Sequence, residues 1–223
     1  TQRRSRSTQP EFQYNLDLAR HYLNTLGVTF EDTLTQPVLA HPEAVVAERR
    51  QALAEQHDID PAGRWIFVHP GHGGSANNLS IAQYAALVNA LGLGEDHAVL
   101  VTAGPGEEAD AVALYNAIDV AHKCLHKSTG GLREFTEVLA TADLFISGST
   151  GPAHLAGALN RRTAVFYPRR ATSSPLRWQT LNAAEQRITF TPPVHKNERD
   201  MASIDPVETA AAIREAFPAL ELG

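Results

Sequence analysis

The residues that most constrain the fold are 143–159. An apolar run, Leu144-Phe145-Ile146, ends in Ser147-Gly148-Ser149-Thr150-Gly151-Pro152 and passes at once into a small-residue helical pattern, Ala153-His154-Leu155-Ala156-Gly157-Ala158-Leu159. That is a buried strand delivering the chain, through a tight glycine turn, to the N-terminus of a helix. Helix N-termini leave backbone N–H groups unpaired and carry about half a positive charge, so they attract anions such as phosphate. Pro152 suits the first helical turn, and Ser149 or Thr150 can serve as N-cap. Taken alone, the same pattern is also ordinary connection chemistry in any α/β domain, and the two readings stand equal.

A second loop of the same kind favours the anion-binding reading. Arg64-Trp-Ile-Phe-Val-His69 reads as a strand, and Pro70-Gly-His-Gly-Gly-Ser-Ala-Asn-Asn-Leu-Ser80 follows it. An amphipathic helix then runs from Ile81 to about Leu91, with Tyr84, Leu87, Val88 and Leu91 on one stripe. Successive small residues with free amides can form an anion-binding concavity.

The rest of the pattern is regular alternation. Strands are expected at 64–69, 97–103, 120–125, 143–147 and 163–167, with a sixth at 187–190. Helices are expected at 80–92, 107–118, 131–141, 151–159 and 206–216, preceded by helices at 10–26 and 43–56. Such alternation implies an α/β, Rossmann-like parallel sheet with helices on both faces, behind a peripheral first helix and a connector. Ligands of these sheets sit outside the carboxyl ends of the strands. The loops leaving those ends are 70–79, 104–108, 126–131, 148–151 and 168–178, and every candidate site residue lies in or just beside one of them.

Composition removes several function classes. The formal charge of −6 argues against a nucleic-acid partner, although arginines cluster at Arg3, Arg4 and Arg6 and at Arg161, Arg162, Arg169, Arg170 and Arg177. The apolar runs are strand-length, too short for a membrane span or a signal-peptide core. Cys124 is the one cysteine, so no internal disulfide or thiolate zinc cluster forms, and a buried thiol in a cytoplasmic protein is the expectation.

These loops resemble those of the lipopolysaccharide heptosyltransferases, glycosyltransferase family 9, which have the two-domain GT-B fold. The matching residues are His69-Pro70-Gly71 with Gly73-Gly74-Ser75-Ala76, then Thr129-Gly130-Gly131-Leu132 leading to Ala142-Asp143-Leu144. The third and most specific block is Ser147 through Leu159. The resemblance implies that 43–223 is the donor-binding half, and that 1–42 is the end of an acceptor domain plus connector. It implies an ADP-sugar donor, with heptose as the sugar, and a lipopolysaccharide core-type acceptor. It further implies an inverting, metal-independent transfer without cofactor at the cytosolic face of the inner membrane, any membrane contact being made through the other half.

The family's general base, an aspartate of the first half, would lie outside this chain. By the same resemblance Gly74, Ser75, Asn77, Ser149, Thr150, Gly151 and His154 face the donor phosphates and sugar. Glu108, Thr129, Gly131 and Leu132 face the nucleoside. His154 either reaches the pyrophosphate or fills a polar gap. Glu108 either accepts from the ribose or is a solvated first-turn glutamate, and the Arg169, Arg170 and Arg177 cluster is either ligand-facing or surface. Two departures from the family stand out: Asn77 or Asn78 occupies a position often lysine or arginine, and Ser149 one that is often aspartate.

Competing readings are weaker. Asp58-Ile59-Asp60 imitates a metal-holding acidic pair but precedes a strand, at the wrong edge of the sheet, and the His122 and His126 spacing on a strand makes no helical ligand pair. Gly71 to Ala76 formally fits the dinucleotide pattern G-x-G-x-x-A, but no acid ends the next strand, which leaves a dinucleotide-dependent oxidoreductase behind. A serine hydrolase using Ser149 fails on order, since His195 precedes Asp200 and Asp205. A nucleotide or nucleotide-sugar binding module without turnover remains the alternative.

Overall fold

A computed structural model of the chain describes residues 6–29, 36–71, 73 and 77–223. Six parallel strands form one sheet: β1 (Arg64–His69), β2 (His97–Ala103), β3 (Lys123–Lys127), β4 (Leu144–Gly148), β5 (Arg162–Phe166) and β6 (Arg187–Phe190). Their spatial order is β3-β2-β1-β4-β5-β6. The order reverses between β1 and β4, which pair as far as His69 and Ser147, so the loops that follow run to α3 and α6 on opposite faces and leave a crevice between them.

Alternate residues of each strand feed two cores. On one face Ile66, Val68, Val99, Val101, Leu144 and Ile146 pack under α3 (Ile81–Ala90), α4 (Glu108–Ala117) and α7 (Pro206–Ala216). On the other, Trp65, Phe67, Leu100, Phe145 and Val165 pack under α2 (Glu43–His57), α5 (Gly131–Leu139) and α6 (Gly151–Ala158). Burial on both faces is why the strands read as apolar runs rather than alternating ones. The stripe expected on α3 is the one it buries: Tyr84, Leu87, Val88 and Leu91 are all enclosed. A capping box starts that helix, with Ser80 accepting from the Gln83 amide and Gln83 accepting from the Ser80 amide.

The expected third strand, 120–125, is displaced in the structure to Lys123–Lys127. Ile118 turns into the core as the cap of α4, and the Asp119 amide donates to Asn89. Lys123 then reaches back to the carbonyls of Tyr115 and Ile118, so residues 118–122 close the helix and turn before the strand begins at Lys123.

The first helix, α1 (Glu11–Thr25), is peripheral. Tyr14 is its buried residue, while Leu18, Tyr22 and Leu26 are 54%, 62% and 59% exposed on one face. Its N-terminus is clamped by Arg177, which pairs with Glu11 at 3.0 Å and accepts the Glu11 amide on its carbonyl. Asp58 is the left-handed cap of α2, and Asp60 accepts from the Ala62 amide, so Asp58-Ile59-Asp60 is a helix-to-strand turn at the amino edge of the sheet.

Candidate donor-binding crevice

Two cavities open at the carboxyl end of the sheet and meet at Thr150 and Gly151, the first residues of α6. The first, of about 530 Å³, is lined by Asn77, Ser149, His154, Ser173, Trp178 and Arg199 around those two residues. The second, of about 430 Å³, is more apolar, with Leu132, Phe135, Pro105, Pro152 and Leu155 in its wall and His69, Glu107 and Ser128 as its polar groups. Both volumes lie in the range of small-molecule sites, and a mostly apolar cavity beside a polar one suits a ligand with a flat base and a charged tail.

The local chain explains why Thr150 and Gly151 are bare. Thr150 sits at the N-cap position, but its hydroxyl caps nothing. That oxygen is buried and has no hydrogen-bond partner among the described residues. The Ser149 amide is spent on the Phe166 carbonyl, and Pro152 has no N–H. The first turn therefore presents the amides of Gly151 and Ala153. At Gly151 an added Cβ would meet open space, so the glycine leaves the helix end accessible.

Asn78 organises the loop after β1 and packs against Gly148 at the end of β4. Its side-chain oxygen accepts from the Leu79 amide and the Tyr84 hydroxyl, and its amide nitrogen donates to the Pro70 carbonyl. A Cβ on Gly148 would stand 2.6 Å from that oxygen, so the closeness of the loops requires glycine there. Asn78 is thus structural, and Asn77 is the one that lines the cavity.

His69 ties the second cavity together. It is 2% exposed, with Nδ1 3.0 Å from the Thr102 hydroxyl and Nε2 3.2 Å from Glu107 Oε2. Glu107 also accepts from the amides of Gly73 and Gly104. The hydrogen bond from His69, aided by those amides, holds the Glu107 carboxyl down at about 2. Burial lowers the affinity of His154 for a proton; its ring meets Trp178 edge-on at 6.3 Å.

Several expected site residues take other places. Ser149, Thr150, Gly151, His154, Asn77 and Leu132 converge on the cavities, whereas Gly74 and Ser75 lie outside the described residues. Glu108 is exposed on the first turn of α4 and its neighbour Glu107 lines the cavity. Thr129 is likewise exposed, Gly131 opens α5 with positive φ, and Ser128 is the residue of that loop in the wall. Of the arginine cluster left open between ligand and surface, Arg169 and Arg177 are both engaged within the protein. Arg169 donates to the carbonyls of Pro192, Pro193, Val194 and Lys196, and Arg177 is held by Glu11. His69, Glu107 and Arg199 are the polar groups that pattern reasoning passed over; a Gly-Pro-Gly-Glu-Glu run cannot say which glutamate turns inward.

Fold and crevice define a Rossmann-like α/β domain with a ligand edge at its switch point. The chain belongs to glycosyltransferase family 9 (heptosyltransferase), whose family model matches residues 4–205. It is 41% identical over 208 residues to a Haemophilus influenzae protein named only provisionally as a glycosyltransferase, covering 92% of this chain and 60% of that one. The chain thus spans well under two thirds of that relative's length. In fold it is similar to the E. coli ADP-heptose lipopolysaccharide heptosyltransferase II, with TM-score 0.68 and 18% identity over 86% of this chain and 56% of that one. It is also similar to a family 9 glycosyltransferase of Veillonella parvula, with TM-score 0.72 and 14% identity over 98% and 62%. A third likeness is to E. coli heptosyltransferase WaaC with ADP, with TM-score 0.59 and 16% identity over 87% and 54%.

Proposed function

We propose that this chain is the donor-binding half of an inverting, metal-independent glycosyltransferase that takes an ADP-activated sugar, heptose by family, and serves a lipopolysaccharide core-type acceptor. The observation that carries the reading is the meeting of an apolar and a polar cavity at the bare N-terminus of α6. The adenosine occupies the apolar cavity against Leu132 and Phe135, with Glu107 in place of Glu108 facing the ribose. The diphosphate lies over the Gly151 and Ala153 amides and the Thr150 hydroxyl, and the sugar enters the cavity of Ser149, His154 and Trp178.

In the reaction a base removes the proton of the acceptor hydroxyl, the acceptor oxygen bonds to the sugar C1 from the face opposite the diphosphate, and the C1–O bond to the diphosphate breaks. The electron pair of that bond leaves with the nucleotide, so negative charge grows above α6. Donors already aimed there lower the barrier, each well-placed one by roughly 3–4 kcal/mol. On this reading the base comes from an acceptor half, within the part of the full-length relatives that this chain, which covers 60% of the one compared, does not match.

Calorimetry of the chain with ADP, with and without EDTA, tests the reading. Binding that survives EDTA, without sugar transfer by the chain alone, is expected. Strict dependence on a divalent ion, or robust transfer by these 223 residues, overturns it.

A further inference from the structure

The charge at the crevice does not balance without a residue from the far end of the sheet. A nucleoside diphosphate carries more than one negative charge, while the helix N-terminus offers about half a positive one. Asn77 brings none, and Ser149, Thr150, Ser173 and Trp178 are neutral. Among the described residues lining the polar cavity, Arg199 is the one permanent cation. It lies on the segment between β6 and α7, and no ion pair joins its guanidinium to a carboxylate among the described residues.

That segment is held as though to present this side chain. Arg169, just beyond β5, donates from Nε to the Pro192 carbonyl at 2.7 Å and from Nη2 to those of Pro193, Val194 and Lys196 at 3.1, 3.2 and 2.6 Å. Its own amide donates to the Glu198 carbonyl. On either side of Arg199 the backbone is tied as well: its amide donates to Asn197, and its carbonyl accepts from the Met201 amide. Gln83 on α3 holds the Met201 and Ile204 carbonyls. The backbone around Arg199 is fixed, and its exposed side chain borders the polar cavity.

We propose that Arg199 is the cation that pairs with the diphosphate of the donor, and that Arg169 is a positioning residue acting through it. The assignment rests on the ADP-sugar reading for the nucleoside, but its chemistry is that of pyrophosphate. A guanidinium grips two phosphate oxygens with a fixed planar fork, whereas a lysine ammonium acts as a point charge.

The test is calorimetry of the full chain with inorganic pyrophosphate, ADP and adenosine, using Arg199→Gln, Arg199→Lys, Arg169→Gln and the Arg169→Gln/Arg199→Gln pair, each checked by thermal melting. Arg199→Gln should lose roughly tenfold to hundredfold in affinity for pyrophosphate and ADP, and little for adenosine. Arg199→Lys should recover part of the loss. The plot of affinity against salt should flatten in Arg199→Gln, because one ion contact is gone. The double variant should bind no more weakly than Arg199→Gln alone, since Arg169 acts through Arg199.

Unchanged pyrophosphate binding by Arg199→Gln, or an equal loss of adenosine, overturns the proposal, as does failure of the parent chain to bind pyrophosphate or ADP. A further loss in the double variant removes the role of Arg169. Pyrophosphate binding that needs Arg199 without any ADP preference would leave Arg199 in place and sink the adenine nucleotide reading.

Discussion

His69 Nε2 stands 3.2 Å from Glu107 Oε2, and through that contact the end of β1 governs the loop after β2. The Nε2–H tautomer satisfies every group at once: the Thr102 hydroxyl donates to Nδ1, His69 donates to Glu107, and the carboxylate takes the Gly73 and Gly104 amides as well. A histidine at a strand end thereby fixes a carboxylate at the cavity wall.

Glu107→Gln should therefore weaken ADP binding, and Glu108→Gln should leave it unchanged. The amide keeps the shape but loses the charge and must point an NH₂ at one of its present donors. A loss of about tenfold, on the order of one charge-assisted hydrogen bond, is expected in calorimetry with ADP. The reverse ranking of the two variants would restore Glu108 to the site.

The same carboxylate sets an acid limit. The Glu107 carboxyl titrates at about 2, below its ordinary value of 4.5, so it favours the folded state above pH 4.5 and that contribution is lost as pH falls from 4.5 towards 2. Thermal melts across that window should show a shallower decline in Glu107→Gln than in the parent chain. Parallel curves would mean that the His69 hydrogen bond contributes nothing to stability.

Gly148→Ala should damage both loops together. The new methyl would meet the Asn78 oxygen at 2.6 Å, and Asn78 is already committed to Pro70, Leu79 and Tyr84. Overpacking of this kind costs about 1–3 kcal/mol, read as a lower melting temperature accompanied by weaker ADP binding. Gly151→Ala, where a Cβ meets nothing, should melt as the parent does.

Most of the sheet was legible because strands buried on both faces appear as unbroken apolar runs, as in Trp65 to Val68 and Leu144 to Ile146. The third strand slipped because nothing local in residues 120–122 separates a turn from a strand start, and the Lys123 bonds to Tyr115 and Ile118 that hold the turn are made by a side chain beyond it. The turn from β4 into α6 was legible for a related reason: glycine, proline and small residues after a buried strand mark a tight passage into a helix. Charged side chains were not. Arg169 and Arg177 resemble phosphate ligands in sequence, yet their partners are carbonyls about 25 residues on or a glutamate 166 residues away, separations that no local pattern encodes.

Thr150→Val separates ligand binding from folding. The hydroxyl is buried without a partner among the described residues, so its removal relieves an unpaired polar atom and should leave the melting temperature equal or higher. On the proposed reading that hydroxyl donates to a charged phosphate, a bond worth about 1.5–3 kcal/mol, so ADP affinity should fall roughly tenfold to hundredfold. Asp58→Asn is the matched control, because Asp58 caps α2 at the opposite edge of the sheet and should not affect binding. If Asp58→Asn abolishes ADP binding while Thr150→Val binds as the parent, the ligand lies at the amino edge and the crevice above α6 is not its site.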